Sequence, residues 1–179
     1  MWRAYRELQG TPRERSLASL AVAGHVNGMS TFTSFMDLAL EQAAAAAKRG
    51  EVPVGAVLVS PEGSVVARAG NRTRELNDPT AHAEILAIRA ACASAGSERL
   101  VDHVLYVTLE PCPMCAAAIS FARLSRLYYG AGDPKSGGVD HGARVYQHKQ
   151  CHHAPEVYSG LSEKECTRIL QDFFAAKRD

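Results

Sequence analysis

The sequence predicts an α/β fold, a sheet covered by helices, and three observations carry that expectation. Short apolar runs alternate with segments of helical length rich in Ala, Leu and Glu. Clusters of Gly, Pro, Asn and Asp separate them. Hydrophobic residues make up 46% of the 179 positions, enough for one domain to bury a sizeable core. In chain order, residues 35–49 read as a helix that stops at Gly50. The apolar run 53–60, the turn Pro61-Glu62-Gly63 and the run 64–69 read as a hairpin. Asn77-Asp78-Pro79-Thr80 forms a turn and cap before a helix over about 81–95 that ends at Gly96. Residues 104–109 read as a third strand, 112–123 as a helix and 127–131 as a fourth strand. A loop rich in Gly, Asp, Pro and Ser follows over 132–142. The last helix runs from Glu163 to about Lys177, with Ile169, Leu170, Phe173 and Phe174 on one side.

Composition excludes several classes. Twenty Lys and Arg oppose 19 Asp and Glu, a formal charge of +1, so no overall basic field announces nucleic acid or an acidic membrane surface, and any such partner must be held locally. No apolar run approaches the roughly 20 residues of a membrane span. Five cysteines, an odd number spread widely, do not make a secreted disulfide scaffold, so a reducing, cytoplasmic setting is expected. Residues 1–34 lack any sustained period and are expected to be a disordered or non-native extension, with Met29 as the natural start. Arg13 and Arg15 before the short stretch 17–22 and the triplet Ala21-Val22-Ala23 suggest a leader, but that stretch is too short and acids are mixed into its head. Residues 35–179 then form one domain.

The chemistry concentrates in four residues: His82 and Glu84, in His-Ala-Glu, and Cys112 and Cys115, in Pro-Cys-Pro-Met-Cys. Two cysteines three apart at a helix start direct both sulfurs to one point, and the helix N-terminus favours the thiolate that binds metal. Pro111 and Pro113 suit such a start, where backbone N–H groups have no intrahelical partner. If the strands preceding the two helices are sheet neighbours, His82, Cys112 and Cys115 converge as three ligands of a tetrahedral zinc, with the fourth position open to water. Zinc there lowers the pKa of bound water from about 15.7 towards about 7, and Glu84 can carry the proton to a ring nitrogen and then to a leaving amine. The alternative is a closed structural site with Cys151, His152 or His153 as fourth ligand.

His82-Ala83-Glu84 with Pro111-Cys112-Pro113-Met114-Cys115 resembles the signature of the zinc-dependent nucleoside and nucleobase deaminases. Residues 51–56 (Glu-Val-Pro-Val-Gly-Ala), Gly70-Asn71-Arg72, 78–84 and 105–112 are similar to the bacterial tRNA-specific adenosine deaminases, a likeness that runs from about Met36 to Arg178. The resemblance implies a cytidine-deaminase-like fold, a three-layer αβα sandwich with a mixed central sheet of about five strands. It also implies deamination of adenosine to inosine at the wobble position of a tRNA anticodon, in a homodimer with one zinc per chain. Residue by residue, it makes His82, Cys112 and Cys115 the ligands and Glu84 the proton shuttle. It makes Asn71 a contact to the flipped nucleoside, although an Asn after Gly also closes strand-end turns. Val54 and Ala56 become pocket wall, and Asp133 with Lys135 the hold on a ribose or phosphate. Gly132 departs from relatives that carry a larger polar residue there.

Arg72, Arg74, Lys135, Arg144 and Lys149 are expected as a local basic rim. Cys151-His152-His153 reads as a surface loop, because three adjacent residues rarely aim at one point. Cys92 and Cys166 fit core packing, and Phe173 and Phe174 before Lys177 and Arg178 fit either core or an aromatic, basic end for RNA. Two other functions remain open: a deaminase of free guanine, cytosine or nucleoside, and a noncatalytic, zinc-stapled RNA-binding subunit.

Overall fold

The computed structural model describes residues 34–177, so the expectation for residues 1–34 lies, except at Ser34, outside the described residues. The elements are α1 (Met36–Lys48), β1 (Gly55–Val59), β2 (Val65–Gly70), α2 (Ala83–Ala95), β3 (Val104–Leu109), α3 (Pro113–Phe121), β4 (Arg126–Ala131), β5 (Glu156–Tyr158) and α4 (Glu163–Ala175). They form one mixed sheet in the order β2-β1-β3-β4-β5, antiparallel at β2-β1 and β1-β3 and parallel at β3-β4 and β4-β5.

Both faces of the sheet are covered, which is why every residue of β1 is buried and the strand reads as a continuous apolar run. Period-two alternation sorts the side chains. Ala56, Leu58, Leu105, Val107, Leu127 and Tyr129 pack with Ala87 and Ile88 of α2 and Ala116 and Ile119 of α3. Val57, Val59 and Tyr106 pack on the opposite side with Met36 and Ala39 of α1 and Cys166 of α4. The sandwich therefore has three layers, as expected. Leu58, Leu105 and Ile119 are fully buried, each worth about 1.5–3 kcal/mol relative to exposure. Gly55 lets α1 approach the sheet, because a Cβ there would collide with the Ala39 carbonyl.

The sequence reading placed four strands, and the fifth escaped it. β5 spans three residues, two of them exposed, so it has no apolar run to reveal it. Its place is fixed from outside. Tyr158 stacks on Tyr128 and Tyr128 on Tyr106, both at 4.8 Å between ring centres, on positions paired in register across the three parallel or adjacent strands. The last helix also differs from expectation: only Cys166 is buried, and Phe174 remains 45% exposed. Cys92, by contrast, packs against the core from α2 as expected.

Candidate active site and metal centre

β2 and β3 are not sheet neighbours, since β1 runs between them. That corrects the condition set on the sequence, but the consequence survives. α2 and α3 lie on the same face and pack against one core, which brings their N-termini together. His82 caps α2 and Cys112 caps α3, both with extended backbone, and Cys115 sits in the first turn of α3.

His82 Nδ1 lies 3.7 Å from Cys112 Sγ and 3.5 Å from Cys115 Sγ, and the three donor atoms all fall within 4.8 Å of one another. A tetrahedral zinc, at about 2.3 Å from sulfur and about 2.0–2.1 Å from nitrogen, sets such N···S pairs about 3.6 Å apart. The donors fit. No fourth His, Cys, Asp or Glu joins this cluster among the described residues. Cys151 is engaged elsewhere, its Sγ donating to the His153 carbonyl at 3.0 Å, and His153 Nε2 donates to the Leu124 carbonyl at 2.6 Å. Cys151-His152-His153 is therefore a clasp on the end of α3, held also by Ser120 Oγ on the His153 carbonyl and Arg123 on the His152 carbonyl. The closed structural site is not formed.

The two sulfurs divide one proton. The Cys115 thiol and the His82 ring, both hydrogen-bonded to Cys112, pull Cys112 down to about 4 despite its burial. Cys115, which keeps the proton and is buried, is raised. One thiolate is thus already favoured at neutral pH, as metal binding needs. Glu84, in the first turn of α2, is 3% exposed and its Oε2 has no hydrogen-bond partner among the described residues. Burial pushes its carboxyl up to about 7, against the opposing pull of its own backbone N–H and of His82. Among the described residues, Tyr146 Oη is the other buried side-chain nitrogen or oxygen in that condition.

A cavity of about 210 Å³ opens on this cluster, walled by Val54, Asn71, Thr73, Glu110, Asp133 and Ser136 among others. It is smaller than the roughly 300–1,000 Å³ of drug-sized sites and suits a single extruded base. Asn71 is 7% exposed, and its Oδ1 accepts the Ala83 N–H at 2.9 Å. The amide braces the start of α2 rather than closing a turn at the end of β2, and it also lines the cavity. Val54 lines the cavity, but Ala56 does not: it is fully buried in the core beside Leu58. Asp133 lines the wall, and its Oδ1 accepts the N–H groups of Lys135 and Ser136, both at 3.0 Å, in an Asx turn. Lys135 is exposed beside the cavity, and its neighbour Ser136 lines the wall. Gly132 leaves room for His141, whose Cε1 would lie 3.2 Å from a Cβ at that position.

Glu110 is the residue that sequence reasoning missed. It is 2% exposed, yet its carboxylate accepts from five donors. Oε2 takes the Asp133 N–H at 2.9 Å and His141 Nδ1 at 2.6 Å. Oε1 takes the N–H groups of Val139, Asp140 and His141 at 2.9–3.1 Å. Burial raises its pKa, but those hydrogen bonds prevail and hold it below the ordinary carboxylate value. One buried anion thereby folds the whole 132–141 loop over the cavity. A second, Glu51, does the same for the wall at Thr73, accepting from Thr73 Oγ1 at 3.1 Å and from the N–H groups of Arg74 and Glu75 at 2.9 and 2.8 Å.

A His-x-Glu helix start and a Cys-x-x-Cys helix start, meeting on one face of a mixed five-stranded sheet, define a zinc-dependent deaminase. The family model for the cytidine and deoxycytidylate deaminase zinc-binding region matches residues 29–131. The tRNA-specific adenosine deaminase of Agrobacterium fabrum is 63% identical over 150 residues, which covers 84% of this chain and 98% of that protein. The protein of the same name from Rickettsia bellii is 46% identical over 142 residues, covering 79% of this chain and 98% of the relative. A solved structure from work on A-to-I editing by tRNA:A34 deaminases at the wobble position of transfer RNA is 65% identical with a TM-score of 0.75, over 76% of this chain and 98% of that one. The chain belongs to the cytidine and deoxycytidylate deaminase family, in its branch of tRNA-specific adenosine deaminases.

Proposed function

We propose that this protein converts adenosine to inosine at the wobble position of a tRNA anticodon, with His82, Cys112 and Cys115 as ligands of one zinc per chain and Glu84 as the catalytic carboxylate. The observation that carries this reading is Glu84 Oε2, a buried acceptor with no partner among the described residues, in a cavity lined by His82 and Cys112, two of the three clustered metal-ligating side chains. A stapled, noncatalytic site has no use for such a group, whose burial without a partner costs about 1–3 kcal/mol.

Zinc held by these side chains supplies the Lewis acidity that makes water nucleophilic at neutral pH. Glu84 would accept a proton from the attacking water and deliver it to N1 of the adenine ring as the water oxygen bonds C6, and would then pass the second proton of that water to the exocyclic amine as the C6–N bond breaks, so that water and adenosine give inosine and ammonia. Asn71 presents its amide nitrogen to the nucleoside, its carbonyl being fixed by Ala83 N–H. Val54 walls the base, and Asp133 and Ser136 face the ribose or adjoining phosphate.

Arg72 and Arg74 flank Thr73, and Lys135 flanks Ser136, so three cations of the expected rim stand beside cavity-lining positions. Arg144, whose Nε donates to the Asp140 carbonyl at 2.9 Å, and exposed Lys149 extend it along the loop. An anticodon loop offers single-stranded bases that are cheaply extruded into such a site. The chain acts as a homodimer in the cytoplasm. Met114, Ala117, Ala118 and Phe121 form a partly exposed apolar stripe on the outer side of α3, with Phe121 75% exposed, and a second copy fits this surface. No helix among the described residues is long and apolar enough to cross a membrane.

Sequencing tRNA before and after incubation with the zinc-loaded protein tests the reading. We expect A-to-I conversion confined to the wobble position, with no ammonia released from free guanine, cytosine or nucleosides. Release from the free bases with unchanged tRNA would refute it.

A further inference from the structure

Alternate residues from the end of β2 into the turn that follows face two different hollows: Asn71 and Thr73 line the deaminase cavity, whereas Gly70 and Arg72 line a second groove of about 500 Å³. This groove lies between the end of α1, the edge strand β2 and α2, and its walls carry Arg49, Arg68, Arg72 and a single acid, Glu75. We propose that it binds the phosphodiester backbone of the RNA strand flanking the base in the cavity. The inference rests on the deaminase reading and extends the rim of loop cations, from Arg72, which it shares, to Arg49 at the end of α1 and Arg68 on β2.

The charge arithmetic favours an anion, three guanidiniums against one carboxylate. Glu75 organises two of them: Arg72 grips it through Nε at 3.0 Å and Nη2 at 2.8 Å, and Arg49 Nε reaches it at 3.2 Å. Arg49 also donates to the Asn71 carbonyl at 3.2 Å and the Ala45 carbonyl at 3.1 Å, so its plane is fixed between α1 and the cavity wall. Arg68, exposed on β2, makes no ion pair among the described residues and keeps its fork of donors for a ligand. Guanidinium forks match phosphate oxygens in pairs. The bond from Arg49 to Asn71 ties the groove to a residue that lines the cavity, so a strand whose base enters one hollow passes directly to the other.

Filter binding of a synthetic anticodon stem-loop across a salt series, with the zinc-loaded full chain and its Arg68→Ala variant, tests this. The expected result is a loss of affinity of about fivefold at 0.1 M salt and a salt-dependence slope smaller by about one contact, with Arg68→Lys intermediate. The rate of inosine formation at saturating RNA stays unchanged, since Arg68 lies outside the cavity. Equal affinity and slope for Arg68→Ala would overturn the proposal and leave the arginine as a guard on the sheet edge. So would binding of inorganic phosphate that is lost in the variant while phosphate leaves RNA affinity unchanged at constant ionic strength, which would make the groove a small-anion site that RNA does not use. Wild-type protein that forms no inosine, yet shows the change in slope, would sink the deaminase reading and leave the groove standing.

Discussion

Two buried carboxylates, Glu84 and Glu110, border the same cavity and differ in how they are satisfied. Glu110 accepts from four backbone N–H groups and one imidazole, and those bonds hold its pKa low. Glu84 leaves Oε2 without a partner, and burial lifts its carboxyl to about 7. The physical lesson is that a buried acid saturated with donors is architecture, whereas one left short of them holds a proton loosely enough to move it.

The sharpest break in this comparison comes from the metal side. Cys112→Ala or Cys115→Ala removes one of three ligands, and both zinc content and inosine formation should fall to background, measured by atomic emission and by RNA sequencing. Glu84→Gln should separate the roles. We expect a full complement of zinc, a rate lower by about 100- to 10,000-fold, and thermal stability equal to or above wild type, because a poorly satisfied buried acid has gone. Retention of near wild-type turnover would show that Glu84 is not the proton carrier.

Glu110→Gln should behave in the opposite way. The carboxamide sets an NH2 group against N–H donors, so we expect a stability loss of about 3 kcal/mol in urea unfolding. Zinc should be retained, and KM for RNA should rise more than kcat falls as the 132–141 loop loosens. A variant with unchanged midpoint and KM would mean that the loop is held by other contacts, such as the bond from Tyr129 Oη to Asp140.

Which of these acids was legible in the sequence follows from what each one binds. Glu84 stands two residues from a ligand in a motif with side-chain chemistry at every informative position, and so do the ligands themselves. Glu110 binds backbone N–H groups 23 to 31 residues downstream, and an N–H group has no residue-type signature. The layers were legible because both faces of β1 are buried, but the strand order was not, since spacing does not reveal that β1 returns between β2 and β3. Val54 and Ala56 came to the pocket wall by resemblance alone, and the structure separates them: Val54 precedes the strand, its N–H turned back to the Val52 carbonyl at 2.8 Å, and lines the cavity, whereas Ala56 lies inside the strand and in the core. Thr73 and Ser136 were missed as cavity residues because a hydroxyl in a polar turn looks the same whether it faces solvent or a site.

Glu51 gives the smallest and most specific test of the rule that saturated acids are architecture. It is 1% exposed, and burial alone would raise its pKa. The N–H of Glu75, the hydroxyl of Thr73, and the N–H and charge of Arg74 outweigh that and lower it. A lowered pKa in the folded state means that the unfolded chain binds more protons in the acid range, so this group's stabilisation is present above the unfolded value of about 4.3 and is lost as pH falls through the lower folded value. Glu51→Gln should therefore cost about 1–3 kcal/mol at pH 7. The gap between wild type and variant should narrow below about pH 4, read by urea titrations at successive pH values. Thr73 should also drift from the cavity wall, raising KM about twofold or less. A gap that stays constant down to pH 3 would mean that Glu51 acts by packing alone, and the distinction between saturated and unsaturated acids would then rest on Glu110.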